Sequence, residues 1–426
     1  MTAPDLAAFY GWRIVSSSFV ILFITVGIGL YSPPVFLVPL QEHFGWSRAA
    51  IAAGGSIAAV VSGIASPFIG AWLDRYGARR VMVFGAVVMG CGLGLLSLIQ
   101  SLWQLYAINA LTALGLCCVA WVPNQTLVAN WFSRKRGLAM GIALAGIGFG
   151  GLAMSPLAAL LIERLDWRLA YLVLASLVLL IVVGVVAVFV RSKPADLGQC
   201  PDGAIPDPAE TGPSASLADR VAERTPVRSG LEAFGSQAFW ILSLCNALTV
   251  FATLSIVAHL VAFLRDAGFQ SQLAAASLGL MVGASVGGRV LFGVLADRYP
   301  KPRVMSLALI LAAAGTLLLF GVHVGGVLPG FVLAFGLAFG GTAVLVPLLV
   351  GECFGLASFG KILGALMVSA TVGAAAGPVL TGWIFDVTGS YQMAFGLHVA
   401  ALTASALAIL FVRIPERMNE PASGGA

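Results

Sequence analysis

Arg289 is the residue whose surroundings make the strongest demand for chemistry. It stands in the apolar stretch AAASLGLMVGASVGGRVLFGVLA, long enough to cross a bilayer. A guanidinium cannot shed its proton to escape hydrocarbon. Placing one there costs roughly 3 kcal/mol on insertion scales and more on others. The next charge, Asp297, lies eight residues further on, so Arg289 is more than a turn inside the apolar region. That depth favours a cation facing an aqueous cavity over one that snorkels to a helix end. The chemistry to expect is anion binding, with a carboxylate held by two parallel N–H···O bonds.

Other polar groups fall within apolar runs, each with two readings. His259 is of the residue type suited to exchanging protons, and it fits a proton carrier or a hydrogen-bonded side chain at the outer interface. Asn124, within Trp121-Val122-Pro123-Asn124-Gln125, fits a donor to substrate or an interhelical hydrogen bond. Tyr31, just before Pro33-Pro34, fits a cavity-lining side chain or an interface anchor. His398 reads as packing. Nothing in the sequence suggests catalysis: there is no phosphate-binding Gly-rich loop, no pair of carboxylates within one span and no His/Cys ligand cluster. No cofactor or metal is expected, and the energy for any transport must come from an ion or exchange gradient. The six cysteines lack metal-ligand spacing and read as small core side chains.

Composition says what must hold these residues in place. Of 426 residues, 59% are apolar and only 10% charged, where soluble domains run near 25% charged. Mean hydropathy is +0.99. Backbone groups cannot stay unpaired in lipid, so each long apolar run must be helical. Twelve candidate spans centre near Ile24, Val60, Met89, Leu114, Gly148, Leu179, Leu254, Val286, Ala313, Gly340, Gly373 and Leu402. The first run, from about Val15 to Val38, lacks a small-residue cleavage site and reads as a span, not a signal peptide. With both termini in the cytoplasm, 18 of 23 Lys and Arg lie inside, four lie outside (Arg48, Arg164, Arg168, Arg265) and Arg289 is intramembrane. The net charge of +5 is scattered over short loops, which argues against a nucleic-acid partner.

Residues 191–236 form one long polar connection, rich in Pro, Ala, Gly, Asp and Glu, with room for a short helix near Leu217–Glu223. It separates two six-span halves, residues 1–190 and 237–426. The halves repeat at an offset of 223 residues: Gly70-Ala-Trp-Leu-Asp74-Arg75-Tyr76 aligns with Gly293-Val-Leu-Ala-Asp297-Arg298-Tyr299. Gly45 aligns with Gly268, Gly141 with Gly364, Gly150 with Gly373, and Glu163 with Asp386. Arg289 maps onto Ser66, so the C-terminal half alone supplies the buried charge. Parallel repeats of this kind place a substrate site near the midplane, at their interface.

Gly70-x-x-x-Asp74-Arg75-x-Gly77-x-Arg79-Arg80 resembles the loop motif between helices 2 and 3 of the major facilitator superfamily. Within it, Trp131-Phe132-Ser133-Arg134-Lys135-Arg136-Gly137-Leu138-Ala139-Met140-Gly141 is similar to the opening of the fifth helix in monocarboxylate porters, and Tyr10-Gly11-Trp12 to their first-helix entry. The resemblance implies an all-α integral membrane fold of two pseudo-symmetric six-helix bundles. It also implies proton-coupled symport of a small monocarboxylate such as lactate or pyruvate, with Arg289 in the position of the family's substrate-binding Arg. Asp74, Arg75, Arg79 and Arg80 of the motif, with Arg134 and Asp297, become candidates for conformational gating. Arg134, Lys135 and Arg136 are candidate partners of Asp74, or basic residues that cytoplasmic topology alone would place there, and Glu352 and Lys361 are further gating candidates. Two family features are missing: the acidic residue one turn before the Arg is Ser285 here, and the helix-1 Lys after a Pro is replaced by Pro33-Pro34. The proton relay of animal members therefore does not carry over.

The rival reading is an oxalate:formate-type exchanger. That family uses a second cation in helix 11, where this chain has Leu363 to Pro378 without charge. A non-transporting sensor would need a signalling domain, for which the linker and the tail after Arg417 are too short. The expected location is the plasma (inner) membrane, with no obligate protein partner.

Overall fold

The computed structural model describes residues 9–203, 233–324 and 326–412. The short helix expected near Leu217–Glu223 and the tail after Arg417 lie outside them. Among the described residues there is no strand, and twelve helices are long and apolar enough to cross a membrane. They are α1 (Gly11–Phe44), α2 (Ala53–Tyr76), α3 (Ala78–Leu96), α4 (Leu102–Trp131), α5 (Arg136–Leu165), α6 (Trp167–Phe189), α7 (Gln237–Asp266), α8 (Ala276–Arg298), α9 (Lys301–Gly321), α10 (Val327–Phe354), α11 (Phe359–Thr388) and α12 (Gln392–Phe411).

Helices α1–α6 pack among themselves, and α7–α12 repeat the arrangement: α1 on α5 matches α7 on α11, and α2 on α4 matches α8 on α10. Small residues make this possible. Gly146 and Gly150, one turn apart on α5, lie against the carbonyls of Phe19 and Phe23 on α1. Gly373 and Gly377 on α11 lie against those of Ala247 and Phe251 on α7. Without a hydrophobic drive between helices in lipid, backbones that can approach this closely gain the packing energy that holds a bundle together. The turns repeat too: Gly45 ends α1 with φ 69° and Gly268 follows α7 with φ 87°, a left-handed conformation that a side chain would strain.

Two seams join the bundles, α5 on α8 and α2 on α11. The 223-residue repeat holds along them atom for atom. A Cβ on Gly141 would stand 2.5 Å from the Arg289 carbonyl oxygen, and one on Gly364 would stand 2.5 Å from that of Ser66. Further along, Gly137 meets Gly293 and Gly70 meets Gly360 backbone to backbone.

Two helices are irregular where the site forms. The α1 helix widens into a π turn at Gly27–Tyr31 and tightens into a 3-10 turn at Pro33–Phe36. Pro33 and Pro34 have no N–H, so the carbonyls of Gly29 and Leu30 lose their regular helical donors. The α4 helix breaks at Ala120, whose φ of −95° and ψ of −97° are not helical.

Candidate functional site

Arg289 is 4% exposed, and its Nε and Nη1 have no hydrogen-bond partner in the protein. Buried N–H groups of a cation are almost always paired, because leaving one bare forfeits several kcal/mol of solvation. Ser285, one turn earlier, is fully buried and turns its hydroxyl to the Val282 carbonyl at 2.6 Å. Among the described residues, the ionisable group in electrostatic range of Arg289 is Tyr31.

Helix α5 seats both side chains. Gly148 leaves the room taken by the guanidinium: a Cβ there would lie 3.1 Å from Nη1 and 2.5 Å from Val286 Cγ2. Gly151, on the same face, carries the Tyr31 ring, 3.0 Å from its would-be Cβ. Ser155 continues the face and donates its hydroxyl to the Tyr31 carbonyl at 2.8 Å. The π turn of α1 thus turns Tyr31 onto the helix that also holds Arg289, a use of π turns common at functional sites. On the other seam the sizes are exchanged. Thr371, the repeat partner of Gly148, presses on Gly63, the partner of Val286, with Cγ2 at 2.7 Å from its would-be Cβ. The duplicate of the site is closed by a threonine, which leaves one charged half-site. Gly148→Ala is expected to push Arg289 aside and reduce anion affinity at least severalfold without unfolding the protein; titration of labelled substrate binding checks it.

The remaining sequence candidates divide. Asn124 is buried, and its amide donates to the carbonyls of Val119 and Ala120, at 2.7 and 2.5 Å, where α4 breaks. Its N–H groups therefore repair the helix and are not available to a carboxylate; only Oδ1 is unpartnered. His259 lies within the C-terminal bundle, with Nε2 3.0 Å from the Pro378 carbonyl and Nδ1 3.5 Å from the Tyr391 hydroxyl. Read as a neutral ring, this makes Nε2 the donor and Nδ1 the acceptor. His398 is fully buried against Phe251 and Phe395, with Nε2 3.0 Å from Thr381 Oγ1.

At the end of the molecule that bears most basic loops, two carboxylates cross the seams. Asp74, ending α2, accepts from the N–H groups of Gly360 and Lys361, at 3.1 and 3.0 Å, where α11 begins. Asp297, ending α8, accepts from Gly137 and Leu138, at 2.6 and 2.8 Å, where α5 begins. All three numbers on each side differ by 223. Carboxylates at helix N-termini satisfy orphan donors and complement the helix dipole. The groups that Asp74 bonds are the amides of Gly360 and Lys361, and not its candidate partners Arg134, Lys135 and Arg136. Those residues open α5, and α5 is capped by Asp297, because each cap reaches into the opposite bundle. The other basic residues lie nearby in lesser roles. Arg75 stacks on Tyr76 with its Cζ 5.3 Å from the ring centroid, the Arg79 guanidinium donates to the Ala187 carbonyl, and Arg80 is exposed. Lys301 and Glu352 form an ion pair at 3.1 Å.

This basic end is shut by backbone contact at Gly70–Gly360 and Gly137–Gly293, while towards the other end Gly55, Gly279 and Gly283 face open space for at least 4 Å. The chain is therefore seen closed at the basic end. The profile of the Major Facilitator Superfamily matches residues 17–347 and 284–426. The chain belongs to this superfamily. Relatives include monocarboxylate transporter 13 of Bos taurus, 29% identical over 93% of this chain and 87% of its own length. Monocarboxylate transporter 11 of Homo sapiens is 28% identical over 96% of this chain and 84% of its own. Solved facilitators share the fold: the proton:xylose symporter XylE with a TM-score of 0.73, 14% identity and 95% and 96% coverage of the two chains. The human organic anion transporter MFSD10 gives 0.68, 16%, 96% and 100%.

Three contributors to the site escape sequence reading: the glycine seats Gly148 and Gly151, the π turn beneath Tyr31, and the amides of Gly360 and Lys361. The run Gly27, Gly29, Pro33, Pro34 is the one sequence signal for the π turn. The amides carry none.

Proposed function

We propose that this facilitator is a secondary transporter that carries a small monocarboxylate together with a proton by alternating access. The observation that carries the reading is Arg289, buried where the bundles meet, with Nε and Nη1 unpartnered and Tyr31 in electrostatic range. A carboxylate would accept N–H groups of this guanidinium, and the tyrosine O–H is a further donor within electrostatic range. A single cation suits a single negative charge. A dianion would keep one charge uncompensated in a poorly solvated site. The full-length likeness to monocarboxylate transporters supports the same substrate class.

In this reading the basic end faces the cytoplasm, both termini lie there, and the protein sits in the plasma membrane open to the outside. Substrate enters past Tyr31, neutralises Arg289, and lowers the cost of drawing the outer halves of the helices together. The caps at Asp74 and Asp297 then release, and the inner end opens. A proton must accompany the anion: alone, a monoanion would work against an inside-negative potential at about 2.3 kcal/mol per 100 mV. His259 is one carrier; its Nδ1 lone pair accepts a proton once the Tyr391 hydroxyl turns away. The other is the substrate itself, which would carry the proton on its carboxylate.

Uptake of labelled lactate into proteoliposomes is expected to rise as outside pH falls from about 8 to about 5.5, because each anion must bring a proton. It is expected to respond little to membrane potential. If His259 is the carrier, His259→Gln loses pH-driven accumulation and keeps counterflow. Competition with acetate, pyruvate, oxalate and formate defines the anion class. Uptake indifferent to pH but accelerated by a different anion inside would replace symport with exchange.

A further inference from the structure

The two inner caps are built alike but not surrounded alike, and the difference comes from the connection between the bundles. After α6 the chain makes short 3-10 turns at Pro194–Leu197 and Pro201–Gly203 and folds back under its own bundle. Gln199 Oε1 accepts from the Tyr10 N–H at 3.2 Å. Asp202, in the left-handed region with φ 60°, accepts from the N–H groups of Ser133 and Arg134 at 2.9 and 2.5 Å. Its other oxygen, Oδ1, is buried and unpartnered. Asp202 thus caps the approach to α5 four residues before Gly137 and Leu138, the amides that Asp297 takes from across the seam. The two carboxylates are within electrostatic range of each other. At the other cap the neighbouring charge is Lys361, of opposite sign to Asp74. Asp297 has Lys301 as a counterweight, but it alone meets a second carboxylate.

We propose that Asp202 is a positioning residue of the inner gate: it holds the entry to α5 from within its own bundle and weakens the Asp297 cap by like charge, so that the α5–α8 seam releases first. The inference rests on the alternating-access reading. Asp202 travels with α5 in every state, whereas Asp297 approaches only on closure. Each closure therefore brings two negative charges together at one helix start, and each opening relieves them.

Asp202→Asn isolates the charge, because the asparagine carbonyl still accepts from Ser133 and Arg134. Spin labels at Tyr76→Cys and Tyr299→Cys, exposed repeat partners at the inner ends of α2 and α8, report opening as a longer distance. Exposed Cys91 and half-exposed Cys200 would be replaced by serine. The closed population is expected to gain roughly threefold to tenfold in Asp202→Asn, with turnover lower and KM little changed. The gain should vanish when Asp297→Asn is already present. Asp202→Ser, another neutral cap, should behave as Asp202→Asn does. No gain, or the same gain with and without Asp297→Asn, would overturn the proposal. If Asp297→Ala by itself leaves the distance distribution unchanged, the gate reading fails first.

Discussion

Replacing Arg289 by methionine should make the ligand-free protein more stable and abolish transport. Arg289 is 4% exposed with Nε and Nη1 unpartnered, so its removal ends a solvation debt of roughly a few kcal/mol. Methionine has a comparable length and fills the space over Gly148 without a polar atom. A rise of several degrees in melting temperature is expected, at about 2–4 °C per kcal/mol for a larger domain. Uptake should fall to background. Arg289→Lys separates charge from geometry: it keeps the cation, loses the paired N–H groups, and should lose transport without gaining stability. Stability maintained below its optimum at a binding site is a common trade. A melting point lowered by Arg289→Met would mean that Arg289 is a structural strut.

The second large effect is expected at the caps of the basic end. Each carboxylate satisfies two amides at a helix start, and cap removal typically costs about 0.5–2 kcal/mol. The caps stand on different seams with no shared partner, so their effects should add. Asp74→Ala and Asp297→Ala should each favour opening of the basic end severalfold, and the double variant by roughly the product. Turnover should fall more than equilibrium affinity, because in the proposed cycle the state closed at the basic end becomes scarcer. Thiol labelling at the inner seam measures it. Equal labelling in the wild type and the double variant would remove the caps from the gating account.

Much of this was legible in the sequence because membranes make certain residues expensive. Twelve apolar runs and the 223-residue repeat were readable, and the repeat gives the matched seams, down to Gly141 on Arg289 and Gly364 on Ser66. Arg289 stood out for its cost alone. Of the partners of Asp74, Lys361 stood out by its charge but Gly360 did not, since backbone amides have no residue signature and each cap crosses to the opposite bundle. Asn124 was read as a donor because a buried amide must bond something. That its donors go to Val119 and Ala120 follows from a break in α4 that no residue pattern announced. Tyr31 came to the site through a π turn, visible in sequence only as glycines before two prolines.

Equilibrium binding of labelled lactate to the purified protein, wild type against Arg289→Lys and Tyr31→Phe, tests the central claim most directly. The account predicts saturable binding to the wild type that acetate and pyruvate displace. It predicts a loss of at least tenfold in Arg289→Lys, as expected for charge-assisted hydrogen bonds worth about 1.5–3 kcal/mol, and a smaller loss in Tyr31→Phe. Binding of equal strength to wild type and Arg289→Lys would contradict it.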